Sequence, residues 1–172
     1  MDMLTGKNID IVVLDSGIEA HPDFEGRIAS FIDFVDGREA LYDDFGHGTH
    51  VAGIIAGSGR MSGGVCRGHA PAARLHVLKI LDGRGNGNRD AIRQALGWIQ
   101  KNRVSKNLKI LNFSVGTVGN SHALHREILD AVESMVGMGL IVVAAAGNLG
   151  PRAGTVTAPG SSRKVLTVGA SD

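Results

Sequence analysis

The chain has 172 residues, 43% of them hydrophobic and 20% charged, which places it among globular rather than disordered sequences and at the size of one domain. Eighteen basic and 17 acidic side chains leave a formal net charge of +1, so charge gives no basis for nucleic acid or a membrane as a partner. The single cysteine, Cys66, excludes an intrachain disulfide and any cysteine-cluster metal or haem motif, while 25 glycines beside only 4% aromatics imply an aliphatic core with closely packed backbones.

Apolar runs of strand length alternate with segments of helical period. Ile9–Leu14 (IDIVVL) reads as a strand, and Ile28–Val35 as a second. His47–Ala56 predicts a short helix with Val51, Ile54 and Ile55 on its apolar side. Leu75–Leu81 is a third strand. In Asp90–Lys101 the residues Ala91, Ile92, Ala95, Leu96 and Ile99 recur at helical spacing. Leu108–Phe113 is a strand. His122–Met138 carries Leu124, Ile128, Ala131, Val132 and Met135 on one helical stripe. Leu140–Ala145 and Val165–Val168 are two further strands. Strands separated by helices predict an α/β fold in three layers, a parallel β-sheet with helices on both faces. No linker divides the chain, so residues 1–172 read as a single domain. The longest apolar run, Leu140–Ala146, is too short for a membrane helix. Met1-Asp2-Met3-Leu4 lacks the basic and long apolar segments of a signal peptide, which suggests a cytoplasmic protein.

Sites in open parallel sheets form beyond the carboxyl ends of the strands. Asp15-Ser16-Gly17 follows the first strand and Asp82-Gly83-Arg84-Gly85 the third. Ser114-Val115-Gly116 and Gly147-Asn148 follow two later ones. His47 opens a helix, and a right-handed crossover would bring it to the same edge. An Asp, a His and an Asn gathered there point to hydrolysis: the carboxylate orients the imidazole, the imidazole acts as general base, and the amide donates to a developing oxyanion. Taken singly, each has a plainer role. Asp15 could be a turn carboxylate, His47 a helix-start residue, Asn148 a positive-φ turn residue and Ser114 a strand-end hydroxyl; their joint placement favours chemistry. His50, three residues after His47, has no third ligand nearby and reads as a structural, hydrogen-bonded histidine, so no metal site is assigned. Asp33, Asp36, Asp43 and Asp44 read as a solvated acidic loop, and Cys66 as an inert thiol.

Three stretches around these residues resemble the signatures of the subtilisin-like serine proteases, the subtilases. Val12-Val13-Leu14-Asp15-Ser16-Gly17-Ile18 resembles the segment of the catalytic aspartate. His47-Gly48-Thr49-His50-Val51-Ala52-Gly53 resembles that of the catalytic histidine, and Val143-Ala144-Ala145-Ala146-Gly147-Asn148 the segment ending in the oxyanion asparagine. Gly68-His69-Ala70-Pro71-Ala72-Ala73 and Leu111-Asn112-Phe113-Ser114-Val115-Gly116 are similar to two further family segments. Residues 33–44 and 57–68 look most like the intracellular bacterial members. The resemblance implies a subtilisin-like fold in which Asp15 orients His47, His47 is the general base and Asn148 binds the oxyanion. It also implies that Gly83-Arg84-Gly85 and Ser114-Val115-Gly116 flank an extended polypeptide substrate, and that Ala145, Ala146 and Gly147 line the pocket for the residue before the scissile bond. No cofactor is evident. Calcium is common in the family, but no ligand loop for it is recognisable here.

The family's nucleophile lies in a Gly-Thr-Ser-Met-Ala stretch well beyond the oxyanion asparagine. Here 172 − 148 = 24 residues follow Asn148, and none of the eleven serines sits in such a stretch. The resemblance therefore implies the front part of a catalytic domain, truncated before the nucleophile helix and inactive alone. Apolar sheet surface would then be left bare, so the chain is expected to be poorly stable or to self-associate without the missing C-terminal part. A non-catalytic, peptide-binding pseudoprotease module is the alternative. A dinucleotide-binding loop at Gly83–Gly87 fits poorly, because Asn88 stands where the motif needs glycine.

Overall fold

The structure, a computed structural model, describes residues 4–116 and 122–171. Met1-Asp2-Met3 of the N-terminal reading and Ser121 among the serines lie outside them. The chain divides into two compact units, Met1–Leu108 and Lys109–Asp172.

In the first unit β1 (Asp10–Asp15), β2 (Ile28–Asp33) and β3 (Arg74–Lys79) run parallel in the order β2-β3-β1. All six residues of β1 are buried, and Ile11, Val12, Val13 and Leu14 each contribute about 1.5–3 kcal/mol of hydrophobic stabilisation. The strand runs one residue further than its apolar letters, because Asp15 still pairs with Lys79. Two helices complete the unit, α1 (His47–Ala56) and α2 (Arg89–Asn102). The Asn88 side chain caps α2 by accepting the Ala91 N–H at 2.7 Å, and Ala91, Ile92, Ala95, Leu96 and Ile99 form its buried stripe, as the period predicts.

α1 departs from the apolar pattern. Its buried face is Gly48, Ala52 and Ala56, whereas Ile54 is exposed and Val51 and Ile55 are half-buried. The helix lies so close to β1 that only small side chains fit between them.

In the second unit β4 (Leu108–Phe113), β5 (Ile141–Ala145) and β6 (Leu166–Val168) run parallel in the order β4-β5-β6. α3 (His122–Gly137) packs on β5 and buries Ile128, Val132 and Met135. Register sets Leu166 beside Val143 and Val168 beside Ala145. On that face Ile141, Leu166 and Val168 are exposed.

The acidic stretch is not the solvated loop its composition suggests. Asp33, buried at the end of β2, accepts the N–H groups of Val35 (2.8 Å), Asp36 (3.1 Å) and Arg38 (3.0 Å) and the Tyr42 hydroxyl (2.6 Å), so the chain turns around it and the strand ends before Val35. Asp43 is tied to Ser16 and Thr49, and Asp44 pairs with Lys79. Backbone and hydroxyl donors need acceptors there, and the carboxylates supply them. Asp36 and Asp44 stay exposed, Asp36 with a surface partner, Arg38 at 3.3 Å, and Asp44 on the buried Lys79.

Burial pushes the Asp33 carboxyl up, but the Tyr42 hydroxyl and the three backbone donors outweigh it and hold it below the usual value of 3.8. The stability it confers is therefore fully present above that value and is lost as pH falls through the lowered one. Asp33→Asn is expected to cost about 1–2 kcal/mol at neutral pH and to flatten the acid limb of a denaturation-against-pH profile. A variant as acid-sensitive as the parent would contradict this.

Candidate active site

Asp15 closes β1, and its side chain is 0% exposed. Oδ1 lies 2.7 Å from Nδ1 of His47 and accepts the Ser16 N–H at 2.8 Å. Oδ2 is buried with no hydrogen-bond partner among the described residues. Burial raises the Asp15 carboxyl above its ordinary value, and the bonds from His47 and the Ser16 N–H oppose that shift without cancelling it. His47, the first residue of α1, is 42% exposed at its side chain. A carboxylate accepts only, so it fixes the imidazole proton on Nδ1 and leaves the Nε2 lone pair free. That is the protonation state a general base needs.

The approach of α1 to β1 depends on Gly48. A Cβ there would stand 2.2 Å from the Gly17 carbonyl oxygen and 3.1 Å from Asp15 Cβ, both fixed by the buried strand. Beside the couple, Phe45 is 48% exposed, with its ring centroid 6.4 Å from that of His47 and its ring against Gly85. Beneath it Lys79 is fully buried. Its Nζ donates to the Ser16 carbonyl (2.6 Å), the Leu81 carbonyl (2.8 Å) and Asp44 (2.6 Å) and lies 4.8 Å from the Tyr42 ring centroid. Sequence reasoning missed Lys79. The signal was available: a charged residue inside an apolar strand run must find partners for all its donors.

A second aspartate–histidine pair lies at the other end of β1. Asp10 is buried and accepts from Arg74 (2.7 Å) and His76 Nε2 (2.9 Å), while His76 Nδ1 stands 3.1 Å from the Ser30 hydroxyl. His76 is 3% exposed, both its ring nitrogens are engaged, and Trp98 lies 6.2 Å from it, centroid to centroid. Burial lowers its affinity for a proton. This pair is interior structure, and only His47 is open to solvent.

The first unit also holds the Gly83–Gly85 segment. Asp82 Oδ1 accepts the N–H of Arg84 and of Asn86, each at 2.9 Å, and the Asp82 carbonyl accepts that of Gly85 at 2.9 Å. Those three N–H groups are thus taken within the turn. The second unit brings Ser114–Gly116 and Ala145–Gly147 together around Thr157, which sequence reasoning did not single out. A Cβ on Gly116 or Gly147 would stand 2.5 or 2.4 Å from Thr157 Oγ1, and the Thr157 N–H donates to the Ala146 carbonyl at 3.0 Å. Ser114 Oγ accepts from Asn112 Nδ2 at 2.5 Å. Asn148 follows Gly147, whose φ is +95°, and is exposed.

His50 is corrected. It is exposed, and its side chain makes no hydrogen bond among the described residues. Two positions beyond Gly48 it falls on the face of α1 turned away from β1. Cys66 is exposed and free.

Comparison with known proteins identifies the family. The model of the Subtilase family matches residues 6–172. The chain is 42% identical over 174 aligned residues to the serine protease AprX of Bacillus subtilis, covering 98% of this chain and 39% of that protein. It is 38% identical to Subtilisin Savinase of Lederbergia lenta, covering 98% of this chain and 58% of that one. A solved structure titled S41 Psychrophilic Protease superimposes with a TM-score of 0.81 at 35% identity, covering 95% of this chain and 53% of that one. The chain thus has the subtilisin-like fold and spans less than two thirds of each of these relatives.

An ionised Asp15 is penalised by burial, so its contribution to stability falls as pH rises from 3.8 through its raised folded value. Its partner His47 is half-exposed and is not stranded when the charge is removed. Asp15→Asn is therefore expected to raise stability near neutral pH by about 1 kcal/mol, or roughly 2–4 °C in Tm, with the gain vanishing in acid. A destabilised variant at neutral pH would contradict that account.

Proposed function

The chain belongs to the subtilase family, and from that membership we propose that it supplies the acid–base half of a serine endopeptidase. One observation carries the reading: a fully buried carboxylate 2.7 Å from the Nδ1 of a histidine whose ring is open to solvent. In this reading His47 Nε2 takes the proton of a serine hydroxyl as its oxygen attacks the peptide carbonyl. Asp15 holds the ring and stabilises the imidazolium, which then returns the proton to the departing amine. The Asn148 amide donates to the oxyanion. By the family reading Gly83–Gly85 of the first unit and Ser114–Gly116 of the second are each segments that bind an extended polypeptide, and Ala145, Ala146 and Gly147 take the side chain before the scissile bond. Their small side chains leave room for a large substrate residue.

The attacking hydroxyl comes, on this proposal, from outside the 172 residues, so the chain alone does not hydrolyse peptides. What supports this is that none of the eleven serines sits in a Gly-Thr-Ser-Met-Ala stretch. Ser16 is buried in hydrogen bonds, Ser114 is held by Asn112, and Ser162 is bonded to Glu133 at 2.8 Å. A fluorophosphonate reagent is expected to leave the 172-residue chain unlabelled. It should label one serine in a product of the same gene extended past Asp172, and that product should cleave unfolded casein. There His47→Ala is expected to lower kcat by about 10⁴-fold or more with little change in KM. Labelling of a serine within residues 1–172, or an extended product that binds peptide without cleaving it, would overturn the proposal.

A further inference from the structure

We propose that Asp43 is a positioning residue for the Asp15–His47 couple, acting through Ser16 and the first turn of α1; this rests on the functional reading above. The Asp43 carboxylate accepts four hydrogen bonds. Oδ1 takes the Ser16 hydroxyl at 2.7 Å and the Gly46 N–H at 2.8 Å, and Oδ2 takes the Thr49 N–H at 2.7 Å and the Thr49 hydroxyl at 2.6 Å. Ser16 Oγ in turn accepts the Gly48 N–H at 2.9 Å, and Thr49 Oγ1 accepts the Glu19 N–H at 2.9 Å. Ser16 directly follows Asp15, and Gly46 and Gly48 flank His47. One carboxylate and one hydroxyl therefore clamp the backbone on both sides of the imidazole to the backbone beside the Asp15 carboxylate.

Helix capping alone does not explain this arrangement. The N-cap of α1 is Gly46, which has no side chain to offer, so the amides of the first turn need outside acceptors. Any exposed hydroxyl or water would meet that need. Here the acceptors for Gly48 and Thr49 are Ser16 and Asp43, and these two are bonded to each other. Ser16 and Asp43 reach these amides together when α1 is seated against the end of β1, which is the seating the 2.7 Å contact requires. Burial pushes the Asp43 carboxyl up, but the hydroxyls of Thr49 and Ser16 and the two backbone donors outweigh it and keep it ionised, facing the positive end of α1. Its chain neighbour Asp44 is paired with Lys79 at 2.6 Å.

Isotope-labelled histidine allows the Nδ1 proton and the ring nitrogen shifts of His47 to be read by NMR in the 172-residue chain. Asp43→Ala and Ser16→Ala are each expected to remove the downfield Nδ1 proton while the amide signals of β1 and β3 stay in place. The double variant should add little to either single one, because both act through one path. Asp43→Asn keeps an acceptor and loses the charge, so it is expected to fold and to weaken the downfield Nδ1 signal; it decides the matter if Asp43→Ala does not fold. Asp23→Ala, which removes a carboxylate bonded to Ser58 and Met61 in the same unit, should leave both readouts unchanged. An unaltered Nδ1 proton with unaltered ring nitrogen shifts in the folded Asp43 and Ser16 variants overturns the positioning role and leaves the functional reading standing. A parent chain with no downfield Nδ1 proton overturns both.

Discussion

A carboxylate shut away from water must be held by donors, and at the end of β1 the donors are one imidazole and one backbone N–H. This under-supplied burial is what the surrounding structure serves. It raises the Asp15 carboxyl, which makes the group a weakly solvated acceptor aimed at a single partner. It also requires that His47 arrive at hydrogen-bond distance, and the geometry of α1 follows from that. Gly48 removes the side chain that would hold the helix away, Gly46 lets the chain enter it at φ +86°, and Asp43 with Ser16 fastens its first turn.

The two ends of β1 show how burial separates structure from chemistry. Each end carries a buried aspartate bonded to a histidine. At Asp10 a cation, Arg74, joins the pair, both carboxylate oxygens are engaged, and the imidazole is enclosed. That site is satisfied and can do nothing further. At Asp15 one oxygen has no partner among the described residues and the imidazole stands open. Strain of this kind is tolerated where the fold over-determines it, and the buried strand together with the Lys79 anchor does so here.

The parts of the fold legible from sequence were those whose burial is written in apolar side chains. The run Ile11–Leu14 marks a strand covered on both faces, and the spacing of Ala91 through Ile99 marks the buried stripe of α2. α1 was legible as a helix but not in its orientation, because Gly48, Ala52 and Ala56 carry almost no hydrophobic signal while the exposed Ile54 carries a strong one. The acidic residues were misread for a related reason. Composition cannot tell a carboxylate that faces water from one that collects backbone amides, and Asp33 and Asp43 are of the second kind. Asp15 and His47 were legible through motif and placement together, since neither stands out alone. Thr157 was hidden because its role is written in the absent side chains of Gly116 and Gly147.

The account stands on the tautomer of one ring. Ring nitrogen chemical shifts of His47, followed across its titration, report which nitrogen holds the proton in the neutral form. An acceptor carboxylate at 2.7 Å predicts a protonated Nδ1 and a bare Nε2. A neutral ring that carries its proton on Nε2 would mean that Asp15 does not orient it, and would contradict the central claim.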